Sequence, residues 1–349
     1  MARNKLILIG PINTGHIACT GDTVKNQLFL KRFLEVFDKV IIVDTYHWQK
    51  RPWCLVNMVI KLIIFPHAKV VVSANPKSAD IIIRFINILG MSSRTFYWVV
   101  GGLLHSTLEN NILNWKTYKN LAGIFVQGLT MVKSMKDLGL HNVKYVPNSK
   151  YINYIPVKPE KRDCKTHFVF LSRIEKYKGC DYILDCINIL NNKGYKGKYD
   201  ITFYGKTTDE KEYFAEFKQR ILNNEDAKYE GVLNLQDTKQ YDKLSEFDVM
   251  LFPTYWPGEG FPGVIIDAYI AGLPVIASDW NLNKDVIEDG ITGWIVPTHD
   301  VDALANKMIY VLDNKEIVAK LSKNSKEKAM NYDSRNVLSN KNLNNLGLI

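Results

Sequence analysis

The chain has 349 residues, and because single hydrophobic cores rarely grow beyond about 250–300 residues, two domains are expected. A hydrophobic content of 46% is that of an ordinary globular protein, and the net charge of +9 favours an anionic partner such as a membrane surface or nucleotide phosphates. Charges of both signs are spread along the chain without a basic arm or helix, so nucleic acid is not an expected partner. The five cysteines form no CxxC pair or metal spacing, which predicts reduced thiols in a cytosolic protein.

In the first half of the chain, apolar runs alternate with helical patterns, which predicts an α/β fold with a parallel sheet built from βαβ units. Predicted helices cover residues 22–37, 79–89 and 130–138. Continuous apolar runs such as Val-Ile-Ile-Val suit strands that are covered on both faces. The predicted strands cover residues 5–10, 39–44, 68–73, 95–100, 123–127 and 143–147.

The longest apolar stretch covers residues 53–65. It is interrupted by Lys61 and is shorter than the roughly 18 residues of a membrane-spanning helix. It predicts a buried helix of the α/β layers rather than a membrane anchor, with docking through one face left open. No signal peptide is expected, because the apolar residues 6–9 are too few and lead into a turn.

The pattern restarts after a polar segment at residues 148–166, which predicts a domain boundary near residue 150. Ile183, Ile187 and Leu190 recur at helical spacing, and Gly194 ends that helix. The predicted strands of this half cover residues 167–171, 200–204, 227–231, 249–253, 274–278 and 293–296.

Residues 253–278 hold the most informative motif, a strand followed by a glycine-rich loop with one carboxylate, Glu259. A helix begins at Pro262-Gly263, and Asp267 shares a face with Gly263 because the two are four residues apart. A helix N-terminus suits a phosphate, and carboxylates accept hydrogen bonds from sugar hydroxyls. The combination predicts a nucleotide-sugar site, although the same pattern alone is also ordinary α/β turn chemistry.

A second motif covers residues 171–181, where a strand ends in a loop bearing Arg173 and Lys178. Arginine offers a planar fork for phosphate oxygens and lysine a compact charge, as a departing nucleoside diphosphate needs. The alternative is a solvated lysine-rich loop, which is what we expect of Lys176. Because both cations lie on a loop, the fold is expected to survive their replacement.

Both motifs resemble those of the retaining GT-B glycosyltransferases of glycosyltransferase family 4 (group 1), especially bacterial enzymes of capsular and exopolysaccharide biosynthesis. The family pattern is Glu, seven residues, Glu; Glu259 matches the first position, and Asp267 replaces the second with a carboxylate one methylene shorter. The resemblance implies an α/β GT-B fold with two Rossmann-like domains facing a central cleft. Residues 1–150 would form the acceptor domain, 151–330 the nucleotide-sugar donor domain, and 331–349 a helix returning to the first domain.

The resemblance also implies roles for individual residues. Glu259 would hold hydroxyls of the donor sugar and Asp267 the ribose. For His105, a contact with the transferred sugar and a purely structural role are equally open, and His16 is equally open as a ligand or as a solvated loop residue. The residues implied in catalysis are Glu259, Arg173, Lys178 and His105. Those implied in donor binding are Gly15, Gly205, Val232, Glu259, Gly260, Phe261, Gly263, Val264 and Asp267.

The implied function is transfer of a sugar from a UDP- or GDP-linked donor to a hydroxyl of a saccharide or lipid-linked saccharide, with retained configuration. The reaction would need no metal and no cofactor, and it would serve bacterial surface polysaccharide biosynthesis. The expected location is cytoplasmic, peripheral at the anionic inner face of the plasma membrane. Two alternatives stay open, a non-catalytic nucleotide-sugar-binding or scaffold protein and a GT-B sugar-nucleotide epimerase. Slow donor hydrolysis would separate an enzyme from a scaffold.

Overall fold

The computed structural model describes residues 4–17, 20–160, 163–207 and 211–349. The chain divides into two compact units, the first made of Met1–Tyr151 with Ser334–Ile349 and the second of Ile152–Asp333. Each unit is built on a six-stranded parallel sheet. The sequence placed the corresponding boundaries at residues 150 and 330.

The first unit has the strand order β2-β1-β3-β4-β5-β6. The chain order reverses between β1 and β3, and in open parallel sheets ligands bind outside the carboxyl ends of the strands at such a switch point. The strands are β1 (Lys5–Gly10), β2 (Lys39–Asp44), β3 (Lys69–Ala74), β4 (Thr95–Val99), β5 (Gly123–Val126) and β6 (Val143–Tyr145). The helices between them are α1 (Gly21–Val36), α2 (Trp53–Ile64), α3 (Pro76–Ile88), α4 (Leu104–Glu109) and α5 (Leu129–Asp137).

One core of the first unit lies between the sheet and α1. Thr20 and Thr23 form a capping box at the start of this helix. The hydroxyl of Thr20 accepts the backbone N–H of Thr23, and the hydroxyl of Thr23 accepts the backbone N–H of Thr20. Phe29 and Phe33 of α1 are buried against Trp98 of β4, and the ring centroids of Phe29 and Trp98 are 4.4 Å apart. The apolar face of α1 therefore fixes it on the sheet.

Helix α2 differs from the sequence prediction. The stretch is helical, but of its twelve residues only Met58 and Leu62 are buried, so the prediction of a buried helix is wrong. Trp53 is 79% exposed and Ile64 is 61% exposed. One side of α2 covers the sheet and the other side, equally apolar, faces solvent.

The second unit has the strand order β12-β11-β10-β7-β8-β9, with the switch point between β7 and β10. Leu251 of β10 lies beside Phe170 of β7 and Ile276 of β11. The strands are β7 (Thr166–Leu171), β8 (Tyr199–Tyr204), β9 (Ala227–Tyr229), β10 (Val249–Phe252), β11 (Val275–Ser278) and β12 (Gly293–Val296). The helices are α6 (Cys180–Asn192), α7 (Lys211–Leu222), α8 (Gln240–Ser245), α9 (Gly263–Ile270), α10 (Asn283–Val286), α11 (Val301–Asp313) and α12 (Lys315–Ala329).

The last segment of the sequence belongs to the first unit. Two short helices, α13 (Ser334–Val337) and α14 (Asn340–Leu346), lie after α12. Leu338, Leu343 and Leu348 are fully buried in the cluster that contains Phe29 and Phe33. This segment thus completes a core that begins near the start of the chain.

All twelve strands lie within two residues of the bounds that the sequence predicts. The start of α3 was missed by three residues, because Asn75 caps it and Pro76 takes its first position. Within the described ranges, no helix has the length and hydropathy to cross a membrane. Four cysteines are free thiols, as predicted, and Cys19 lies outside the described residues.

Candidate active site

The second unit places the two sequence motifs side by side at its switch point. Strand β7 leads into the loop that bears Arg173 and Lys178, and its neighbour β10 leads into the loop that bears Glu259. Because parallel strands present their carboxyl ends at one edge of the sheet, Lys178 and Glu259, which are 81 positions apart in sequence, meet there.

Lys178, which is buried, and Glu259, which is largely buried, form an ion pair at this edge. The Lys178 Nζ lies 2.5 Å from the Glu259 Oε2, and their side chains are 6% and 13% exposed. The hydroxyl of Thr254 donates a second hydrogen bond to the same oxygen at 3.1 Å. The sequence predicted that the fold would survive replacement of this lysine. Because removing one partner leaves a largely buried charge uncompensated, we instead expect a loss of stability.

Arg173 is the more exposed cation, with 46% of its side chain accessible. Its Nη1 lies 2.7 Å from Oε1 of Glu175, a buried carboxylate whose other oxygen has no hydrogen-bond partner among the described residues. The Arg173 guanidinium also lies 5.2 Å from the ring centroid of Trp256, and the Lys178 Nζ lies 5.8 Å from it. Both cations therefore border one indole ring, and their charges are balanced by two carboxylates.

Two glycines allow the loops of this edge to pack against each other. Gly179 has a φ of +80°, and a Cβ there would lie 2.3 Å from the carbonyl oxygen of Pro253. A Cβ on Gly205 would lie 1.7 Å from the carbonyl oxygen of Ser172. Gly205, predicted as a donor contact, is thus required by backbone packing whether or not it touches a ligand.

Helix α9 begins beside this loop with no side-chain cap on its N-terminus. Gly263 and Val264, at its start, are half-buried, as is Gly260 before it. Phe261 is 5% exposed, and its ring packs on Tyr332 at 5.4 Å, so its side chain serves the core of the unit. Uncapped N–H groups with the helix dipole behind them make this turn suitable for an anion.

Asp267 lies further along α9 and is only 5% exposed. Its Oδ1 accepts a hydrogen bond from the Tyr241 hydroxyl of α8 at 2.5 Å. Burial, and the neighbouring Asp267 carboxylate, raise the pKa of Tyr241, so that the phenol stays protonated and donates. Val232, by contrast, is 53% exposed on the loop after β9.

With this geometry in place, a comparison with protein families decides the identity of the second unit. The glycosyl transferases group 1 family matches residues 153–328, which is half of the chain. The chain belongs to this family.

Two of the relatives of this chain are named enzymes whose matched regions cover well under half of their length. The amylovoran biosynthesis glycosyltransferase AmsK of Erwinia amylovora is 28% identical over 43% of this chain and 38% of its own length. The UDP-Gal:alpha-D-GlcNAc-diphosphoundecaprenol alpha-1,3-galactosyltransferase of Escherichia coli is 33% identical over 25% of this chain and 22% of its own length. The chain thus spans less than half the length of the curated relatives it matches.

Among solved structures, Anabaena HepE in complex with UDP shares the fold along nearly the whole chain. The TM-score is 0.74 at 14% identity, with 99% of this chain and 100% of that chain covered. Together with the two six-stranded parallel sheets, this similarity confirms the predicted α/β GT-B fold.

In the first unit, Gly15 lies in the loop after β1, with a φ of +82° and open space around it. Asp44, at the end of β2, holds this loop, because its carboxylate accepts the backbone N–H groups of Ile12, Asn13 and Thr14. Burial works to raise the pKa of Asp44, but these hydrogen bonds outweigh it and lower the pKa. Asp44 was not predicted as a site residue from the sequence, although its position as an acidic residue at the end of an apolar strand could have indicated it.

His105 is half-buried in α4, and its Nδ1 is buried with no hydrogen-bond partner among the described residues. Lys25 of α1, also missed from the sequence, is 9% exposed and donates from Nζ to the carbonyl oxygen of Val99 at 2.9 Å. Burial lowers the pKa of Lys25 to about 7, against the opposing effect of Asp22. The first unit therefore carries a buried amine at the carboxyl end of β4.

Proposed function

We propose that this chain transfers a sugar from a nucleotide-sugar donor to a hydroxyl group of a saccharide or lipid-linked saccharide, without a metal ion and with retention of configuration, as a member of glycosyltransferase family 4. The observation that supports this proposal is the cluster of Arg173, Lys178 and Glu259 at the β7–β10 switch point. It combines cations for a diphosphate with a carboxylate for sugar hydroxyls at the edge where such sheets bind ligands.

The donor diphosphate would occupy the space between the exposed Arg173 guanidinium and the uncapped start of α9. Since Arg173 and Lys178 are already balanced by Glu175 and Glu259, the helix N-terminus would supply the additional positive potential for the phosphates. The Lys178 ammonium has three donors and gives one of them to Glu259, so it can bind a phosphate oxygen at the same time. Glu259 would then bind the donor sugar beside the phosphate.

In the reaction, the bond between the anomeric carbon and the phosphate oxygen breaks, and the acceptor oxygen bonds to that carbon from the same face. The acceptor proton passes to the departing phosphate oxygen, which gains negative charge as the bond breaks. Arg173 and Lys178 stabilise that charge, which is the work that a divalent metal does in other transferases. No separate protein base is needed for this proton balance.

Comparisons with relatives and with a solved structure support a more specific donor, acceptor and pathway. The Escherichia coli relative is named for a UDP-sugar donor and a diphosphoundecaprenol-linked acceptor, and the Anabaena structure contains UDP. The Erwinia amylovora relative is named for amylovoran biosynthesis, and a Staphylococcus aureus relative is named for capsular polysaccharide biosynthesis. We propose a UDP-sugar donor and action in surface polysaccharide biosynthesis, at the anionic inner face of the plasma membrane, which the net charge of +9 also favours.

The test is release of nucleoside diphosphate by the purified protein from a panel of UDP- and GDP-sugars, with and without EDTA. We expect turnover that survives EDTA and falls roughly 10²–10³-fold in Arg173→Ala, the scale of losing one preorganised electrostatic contact. Arg220→Ala is the matched control, since Arg220 is also paired with carboxylates but lies on α7.

Binding of a donor with no release of diphosphate would identify a nucleotide-sugar-binding protein instead. Recovery of an epimerised nucleotide sugar would identify an epimerase. Turnover that disappears in EDTA and returns with Mn²⁺ would refute metal independence, and equal turnover in both arginine variants would refute the assigned role of Arg173.

A further inference from the structure

The solvent side of α2 is formed by large apolar side chains. Trp53, Val56, Ile60, Ile63 and Ile64 are 79%, 52%, 49%, 60% and 61% exposed. Trp53, Val56 and Ile60 are spaced by three and four residues, and Ile63 and Ile64 lie three and four residues after Ile60, so all five occupy a single stripe along the helix. A surface helix ordinarily carries polar residues in these positions, and a helix that is apolar on both sides needs a second apolar surface to cover it.

The neighbouring helix α3 extends this stripe. Ile81, Phe85 and Ile88 are 39%, 44% and 81% exposed and also share one face. Leu55 of α2 and Ile81 line the same small cavity, so the two helices are adjacent. We call the exposed apolar side chains of α2 and α3 the apolar face. Contiguous apolar surface formed by eight large side chains marks an interaction site.

The charge around the apolar face indicates what covers it. Between Asp44 and Glu109 the sequence contains seven Lys and Arg residues but a single acidic residue, Asp80. Asp80 is 6% exposed and is paired with Arg84, so it contributes little negative potential at the surface. The apolar face therefore lies in a strongly positive segment.

Cations also flank the end of α2. The Nζ atoms of Lys5 and Lys39 lie 5.6 Å and 5.2 Å from the ring centroid of Phe65, the residue that follows the helix. Lys50 and Arg51 precede Trp53 at the other end. An apolar stripe with an interfacial tryptophan and basic residues at both ends matches the requirements of the headgroup region of an anionic bilayer.

We propose that the apolar face is a membrane-docking surface, on which α2 lies in the plane of an anionic bilayer with its isoleucines among the acyl chains. The surrounding lysines and arginines attract the protein to the surface, and the apolar side chains then hold it there. The proposal concerns a surface of the first unit and does not depend on the glycosyl-transfer assignment.

The test compares binding of the full chain to vesicles of phosphatidylcholine with 30% phosphatidylglycerol and to vesicles of phosphatidylcholine alone. We expect binding to the anionic vesicles, which weakens with salt but is not abolished by it. Ile60→Gln/Ile64→Gln should weaken binding at least tenfold. The matched control is Leu34→Gln/Leu222→Gln, which removes two apolar side chains of 59% and 80% exposure elsewhere and should change binding less than twofold.

A second measurement keeps the proposal testable if the double variant folds poorly. Brominated acyl chains should quench tryptophan fluorescence in the wild-type protein, and Trp53→Phe should lose most of that quenching. Donor hydrolysis in solution should be unchanged by Ile60→Gln/Ile64→Gln, so a failure of the catalytic proposal is distinguishable from a failure of this one.

Equal vesicle binding by wild type and Ile60→Gln/Ile64→Gln, or no binding by the wild type, would overturn the proposal. So would a wild-type dimer in sedimentation experiments that the double variant converts to a monomer, because the apolar face would then be covered by a second copy of the chain.

Discussion

Replacing Lys178 by Met should destabilise the second unit far more than replacing an exposed lysine. The change leaves the Glu259 carboxylate 13% exposed without its ammonium partner, and the hydroxyl of Thr254 is a weak substitute for a full charge. Breaking a buried pair by removing one member costs about 3–5 kcal/mol of unfolding free energy. The expected loss is thus of that size.

The double variant Lys178→Met/Glu259→Gln isolates the origin of this loss. With both charges gone, no buried charge is left unpaired, and replacing a whole buried pair by neutral groups is often close to neutral in stability. We therefore expect the double variant to regain most of the stability that Lys178→Met loses. Its turnover should stay low, because the charges that act on the donor are still missing.

The assay is urea unfolding followed by far-UV circular dichroism, together with nucleoside diphosphate release. Lys228→Met serves as the control, since Lys228 pairs with Glu230 at 58% and 38% side-chain exposure and such pairs contribute about 0–1 kcal/mol. Equal unfolding midpoints for Lys178→Met and Lys228→Met would refute the buried-pair reasoning. So would a double variant that is no more stable than Lys178→Met.

Three further predictions concern groups outside that pair. Asp267→Asn should raise the donor KM with little change in kcat, whereas Tyr241→Phe should lower thermal stability and leave the donor KM unchanged. If both variants changed the donor KM equally, Asp267 would be a packing residue rather than a ribose ligand. The pKa of Lys25 is about 7 in the folded protein, against its usual 10.5. Between these pH values the unfolded chain binds more protons than the folded protein, so the free energy of unfolding should rise with pH from about 7 to 10.5. Lys25→Met should reduce the slope of unfolding free energy against pH by about 1.4 kcal/mol per pH unit. The same pH dependence of thermal melts in wild type and Lys25→Met would contradict this assignment. Asp44→Ala should cost about 1–3 kcal/mol by leaving the N–H groups of its loop unpaired, and Asp38→Ala, which removes one exposed hydrogen bond, should cost less in the same melts.

The strands were predictable because burial on both faces gives each one a continuous apolar run. Arg173, Lys178 and Glu259 were found because each follows such a strand, and the order of the parallel sheet then brings them together. That Lys178 is buried while Arg173 is exposed was not predictable, since this depends on the close approach of Gly179 to Pro253. Local sequence does not encode a contact between residues far apart in the chain.

Helix α2 shows a second limit of sequence analysis. An apolar run that is too short to span a membrane is compatible with a core helix or with a helix exposed on one side. The distinction depends on whether another layer covers the helix. Asp44 and Lys25 were missed for the same reason, because their partners, the loop after β1 and the carbonyl of Val99, are distant in sequence.

The position of Leu338, Leu343 and Leu348 in the core of the first unit has a consequence for folding during synthesis. The second unit is inserted in the first, so a ribosome that has completed Tyr151 must still add about 180 residues before Ser334 emerges. At about 5–20 residues per second this takes roughly 10–40 s, during which Phe29 and Phe33 lack their last neighbours. Until then the nascent first unit exposes apolar surface of the kind that chaperones bind, whereas the second unit, whose sequence is contiguous, is free to fold first.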